Sequence, residues 1–313
     1  MPSLKAIRKR ITSVQSTQKI TRAMKMVAGA RLNRAQNRIL ELRPYAVKTQ
    51  EVLAAITEKP IQAALEEVVH TDDAEGWTEA PAHKLLEGRP EKRVLMLVLT
   101  SDRGLCGAFN ANINKRAERE WKTRTAEGQE VKLVIVGRKG RDYMTRRNAP
   151  IHEYLPGIWD NLAKGLVTAQ QVGAAILAPF DKKEVDAIYL VYNEFKSAMS
   201  QQVVVERLLP VAPQTAREGR ESHIGHVTEF IYEPDKAALL QQLVPMYVDI
   251  SILRALYESQ ASEFGARMTA MDAATKNAKE MIGALTLQYN KARQAAITKE
   301  LMEIIGGSEA LKD

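Results

Sequence analysis

Residues 256–296 read LYESQASEFGARMTAMDAATKNAKEMIGALTLQYNKARQAA, and this stretch decides the fold. Leu256, Gln260, Phe264, Met268, Met271, Thr275, Ala278, Ile282, Leu285, Tyr289, Ala292 and Ala296 follow one another at steps of three or four. That spacing keeps one stripe of a helix turned toward a partner. The helix is expected to run from Asp235, with one proline, Pro245, near its start, to about Gly306, where Gly306 and Gly307 should stop it. At about 1.5 Å per residue it spans on the order of 100 Å, so much of it has to project from any globular domain. From Ala273 onward alanine and threonine replace large residues along the seam. A thin surface of this kind suits either ordinary close packing or a surrounding sleeve.

The partner is the other chain end. Leu4, Ile7, Ile11 and Val14 step by three and four, Ile20, Met24 and Val27 continue after a shift in phase, and Leu32, Ala35, Ile39 and Leu42 restore the first register. A phase shift changes the winding of a coiled coil without ending the helix. Pro44 predicts a kink or break, and the apolar residues Tyr45, Val47, Val52 and Ile56 beyond it favour the kink. The two ends together predict an antiparallel coiled coil whose C-terminal helix outlasts its partner.

Between the ends the periodicity changes. Val94–Thr100, Val131–Val136, Val185–Tyr192 and Gln202–Leu209 are short apolar runs alternating with helical stretches at Phe109–Thr125, Lys139–Arg147 and Leu162–Phe180. This alternation predicts a Rossmann-like α/β domain with buried parallel strands. The expected organisation is a first helix over 1–56, an acidic linker or insertion over 57–92, partly helical around Ile61–Val69, an α/β domain over 93–233 and a last helix over 234–313.

Charge is unevenly spread. From Met1 to Ile56 twelve Lys/Arg stand against Glu41 and Glu51, a balance of +10, while Thr57 to Glu91 has nine Asp/Glu against three Lys/Arg, a balance of −6. The basic helix is either a solvated face or the match for a polyanionic partner. Nucleic acid is disfavoured because no aromatic residue precedes Tyr45 to stack on bases. No run approaches the roughly 18 apolar residues of a membrane span, and Cys106 is the only cysteine, which fits a reducing compartment. Membrane association therefore has to come through partners.

Chemistry-bearing motifs are sparse. The segment Thr100–Asn110 joins a strand to a helix but lacks the glycine spacing of a phosphate loop. Cys106 has no histidine near it in sequence, and His223 and His226 have the spacing of metal ligands without a completing cluster. The reading is a non-catalytic chain with no cofactor.

Several runs resemble the gamma subunits of F-type rotary ATP synthases of bacterial type: Ile7–Ile11, Thr17–Ala28, Thr100–Gly107, Arg267–Ala278 and Tyr289–Leu301. The resemblance implies a central shaft lying in a ring of alpha and beta subunits, with a foot that meets the epsilon subunit and the c-ring. In such a machine torque passes between the proton-driven c-ring and the catalytic beta subunits, at the cytoplasmic face of the inner membrane. It further implies rotor–stator contact or coupling roles for Met24, Arg267, Arg293, Gln294, Thr298, Glu300 and Glu303. The segment around Lys196–Leu209 resembles the part of the foot that faces epsilon and the c-ring. Plastid relatives carry a cysteine pair that this chain lacks, and its acidic 57–91 stretch is longer than the family usually has there.

Overall fold

The computed structural model describes residues 3–67, 83–211 and 236–309. Two long helices, α1 (Leu4–Glu67) and α6 (Lys236–Glu309), pack antiparallel. Their register is pinned by Lys25 Nζ at 2.6 Å from Asp272 Oδ1 and by the hydroxyls of Thr21 and Thr275, 2.8 Å apart.

The seam of α1 is one unbroken heptad series. Ile7, Ile11, Val14, Gln18, Thr21, Lys25, Ala28, Leu32, Ala35, Ile39, Leu42, Ala46, Thr49 and Leu53 are each buried or half-buried, at alternating steps of four and three. The expected phase shift is therefore absent. Ile20 and Val27 are 59% and 54% exposed, and Met24 lies at the seam's edge, half-buried. Thr21 and Ala28 hold the register instead, because small side chains let the two backbones close up while the seven-residue period is kept.

Helix α1 also passes Pro44 without interruption. The carbonyl that loses its donor there belongs to Leu40, which is exposed, so water can satisfy it. The helix does not end at residue 56 but runs on to Glu67. Likewise α6 continues through Gly306 and Gly307 to Glu309. Glycine weakens a helix by about 1 kcal/mol without breaking its hydrogen bonds, unlike proline.

The central sheet contains β1 (Arg93–Leu99), β2 (Glu130–Val136), β3 (Ile151–Leu155), β4 (Ala187–Phe195) and β5 (Gln201–Leu209), in the order β3-β2-β1-β4-β5. The first four are parallel, and β5 is antiparallel to β4. The expectation of parallel strands thus fails at β5. Residues 196–200 are too few for a crossover, so only a hairpin can join these strands. Strand β3, Ile-His-Glu-Tyr-Leu, was not expected. It is an edge strand with only Leu155 buried, and its apolar signal is correspondingly weak.

Helices α2 (Phe109–Ala126) and α3 (Arg138–Thr145) cover one face, where Ile113 of α2 and Met144 of α3 pack over Met96, Val98, Leu133 and Ile135. The short α4 (Ile158–Asn161), α5 (Leu166–Asp181) and the root of α6 cover the other, where Leu95, Leu97, Val172, Ile176, Phe180, Ile252 and Leu256 form the largest core cluster. The foot is thus built directly onto the shaft.

The 57–92 segment is not a surface insertion throughout. Leu85 is buried in that core, its carbonyl accepts the Val211 N–H at 2.9 Å, and the Arg89 guanidinium lies 4.9 Å from the centre of the Phe180 ring. Removing residues 83–91 would remove core. His223 and His226 lie outside the described residues.

Candidate functional site

The seam residues that missed the register build a groove. Ile20, Met24, Val27 and Arg31 follow one another on one face of α1. Facing them are Phe264 and Arg267 of α6 and Arg103, Gly104 and Leu105 of the β1–α2 loop, around a cavity of about 480 Å³. Leu105 is 64% exposed and held at φ 63°, a left-handed conformation that side chains rarely adopt. The leucine side chain therefore stands exposed at the edge of the groove.

The loop behind it is tightly tied. Ser101 donates through Oγ to the Arg103 carbonyl at 2.6 Å and through its N–H to Asn110 Oδ1 at 3.0 Å. Cys106 is buried among Ser101 and Asn110, and burial pushes its thiol up. It fastens the loop through sulfur contacts.

Arg267 anchors the loop to the shaft. Its Nη1 lies 2.6 Å from Glu263 Oε1, with the two side chains only 12% and 11% exposed, and its Nη2 donates to the Gly104 carbonyl at 3.2 Å. The guanidinium carbons of Arg267 and Arg31 lie 5.9 and 5.8 Å from the centre of the Phe264 ring. Most of the Arg267 charge is therefore engaged inside the chain, leaving Arg31 and Arg103 as the exposed cations of the rim. Lys25, next to Met24, is paired with Asp272, whose carboxyl is held below its ordinary range by Lys25 and Lys276.

The structure brings together Met24 and Arg267 but not the other five expected residues. Arg293, Gln294, Thr298, Glu300 and Glu303 lie on the last turns of α6, on the order of 40 Å along the helix from Arg267. There α6 has outrun α1, and every residue from 293 to 305 is exposed. Thr298 Oγ1 donates to the Gln294 carbonyl at 3.0 Å, and Lys299 lies 3.5 Å from Glu303. Beside these run Ile297, Leu301, Met302, Ile304 and Ile305, all more than half exposed.

Sequence reasoning missed Ile20, Val27, Arg31, Arg103 and Leu105 as a group. The signal was present in Ile20 and Val27, whose apolar side chains fall out of phase with the seam; such residues need a partner other than the paired helix.

The family model for ATP synthase matches residues 3–311. The chain is 70% identical to the ATP synthase gamma chain of Sorangium cellulosum and 46% identical to that of Geobacter sp. strain M21, in both cases over the full length of both chains. Among solved structures it resembles a chain of the Euglena gracilis mitochondrial ATP synthase rotor, with a TM-score of 0.57 at 18% identity over 94% of this chain and 98% of that one. It also resembles a chain of the Tetrahymena thermophila mitochondrial ATP synthase central stalk and c-ring structure, with a TM-score of 0.53 at 23% identity over 82% and 99%. These two likenesses concern the fold. The chain belongs to the ATP synthase gamma chain family.

Proposed function

We propose that the chain is the central rotor shaft of a bacterial F-type ATP synthase, carrying torque between a proton-driven c-ring and the catalytic beta subunits without catalysing ATP chemistry itself. The observation that carries this reading is the bare end of α6, where five large apolar side chains stand in the open on a single helix. Such a stripe costs solubility unless a sleeve of other subunits receives it. Alpha and beta subunits form that sleeve, with Arg293, Gln294, Thr298, Glu300 and Glu303 meeting its inner wall.

Lower on the shaft, the groove around Met24 and Arg267 suits a beta-subunit segment that carries an apolar side chain beside carboxylates. Its apolar lining and its rim cations, Arg31 and Arg103, supply the two complementary features. Screening over about 8 Å at physiological salt keeps the attraction weak enough for rotation. The foot, with its β4–β5 hairpin, meets epsilon and the c-ring. Attachment to the cytoplasmic face of the inner membrane then comes through these partners; among the described residues no helix is long and apolar enough to cross a membrane.

The test is reconstitution. The chain mixed with purified alpha and beta subunits should co-purify as one complex and drive rotation under ATP, while the chain alone hydrolyses no ATP. Salt-sensitive retention on DNA with no alpha–beta complex would instead favour a nucleic-acid-binding coiled coil. Hydrolysis by the chain alone, with beta excluded by mass spectrometry, would overturn the non-catalytic reading.

A further inference from the structure

One face of α6 receives the β4–β5 hairpin. Residues 254, 258, 262 and 265 follow at steps of four, four and three, so they lie on that face together. Arg254 Nη2 lies 2.7 Å from both Oε1 and Oε2 of Glu206 on β5, and the Tyr192 hydroxyl on β4 donates to Glu206 Oε2 at 2.8 Å. Ser262 Oγ donates to the Asn193 carbonyl on β4 at 3.1 Å. At Gly265 a Cβ would stand 3.3 Å from both Cα and O of Ala198, so glycine lets the hairpin loop close on the helix.

Glu258 stands in the middle of this joint. Its Oε2 is buried and makes no hydrogen bond, as is the Nε of Arg254. The charged groups around it are Arg254 on its own helix, Glu194 on β4, Lys196 in the hairpin loop and Glu206 on β5. Both cations are already matched, Arg254 by Glu206 and Lys196 by Glu194 at 2.7 Å, which leaves Glu258 as the surplus carboxyl. Burial pushes it up to about 7; Arg254 pulls the other way, and Glu194 and Glu206 add to the rise. The joint is therefore firmest with Glu258 protonated, and its stabilisation is lost as pH rises through neutrality.

We propose that the Arg254–Gly265 face of α6 is the joint through which the hairpin hands its load to the shaft, and that Glu258 is the proton-sensitive positioning residue that sets how firmly it holds. Protonated, Glu258 is a neutral member of a closed joint. Ionised, it places a third carboxylate beside Glu194 and Glu206 and loosens the hairpin. The role in load transfer rests on the shaft reading above; the joint itself does not.

Hydrogen exchange of the full chain, followed in peptides covering residues 192–206 and corrected for intrinsic rates, tests the joint. Between pH about 6 and about 8.5, protection in the wild type should fall roughly ten-fold, and in Glu258→Gln it should stay level. Superimposable profiles would overturn the role of Glu258. Proton pumping per ATP in the reconstituted synthase tests the load. Arg254→Met should lower it by about half with hydrolysis retained, and Arg254→Lys should recover most of it. Loss of hairpin protection in Arg254→Met with pumping unchanged would overturn load transfer through this face.

Discussion

Helix α6 has two ends of opposite character. Around its root the apolar residues that face the fold are buried, including Val244, Val248, Ile252, Leu256 and Ala261, because the helix is wedged between the sheet, α5 and α1. From residue 293 to 305 every side chain is exposed, including Ile297 and Leu301. Both ends are continuous helix with apolar side chains. At the root those side chains hold this chain together, and at the tip they contribute nothing to it, so whatever they do depends on another molecule.

The sharpest way to break this comparison is to truncate one leucine at each end. Leu256→Ala should destabilise the isolated chain by about 3 kcal/mol in chemical denaturation, since the site is fully enclosed and leaves a cavity. A change well below that value would mean that the root is loosely packed. The groove lies between the two extremes. Arg267→Ala leaves Glu263 buried without its cation and frees Gly104, and should cost roughly 2–3 kcal/mol; adding Glu263→Gln should restore part of this loss. If the double variant is no more stable than the single, the ion pair is not what anchors the loop. The smallest effect belongs to Leu301→Ala, within about 0.5 kcal/mol for the isolated chain. Its consequence should be confined to the complex with alpha and beta, where rotation under ATP should slow. A large loss of stability without partners would show that the tip packs on this chain after all.

Much of the architecture could be read in advance because it depends on periodicity. The 3–4 spacing from Leu256 to Ala296 reports a helix and the stripe it buries, and α6 follows that stripe through Met271, Ala278 and Leu285. Strands β1, β2 and β4 were legible for a related reason: both faces of each are covered, so each reads as a continuous apolar run. Strand β3 was not, because an edge strand with one buried residue has a pattern close to that of a loop. The direction of β5 was available in the five residues that precede it, which cannot make a crossover.

The candidate site divides the same way. The motifs containing Met24, Arg267 and the Arg293–Glu303 residues are contiguous in sequence and could be found there. That Met24 and Arg267 share one groove follows only from the antiparallel register set by Thr21–Thr275 and Lys25–Asp272. That register decides which side of each helix is left over. It places Ile20 and Val27 outward, beside a loop that lies far away in sequence. In the same way Glu206, Tyr192 and Arg254 become one cluster only once the hairpin lies on α6. The sequence by itself determined the helices, the buried strands and the overhang, because each rests on local period and length. Only the tertiary structure decided the groove and the hairpin joint, because each is made by side chains from separate elements whose meeting depends on register and docking.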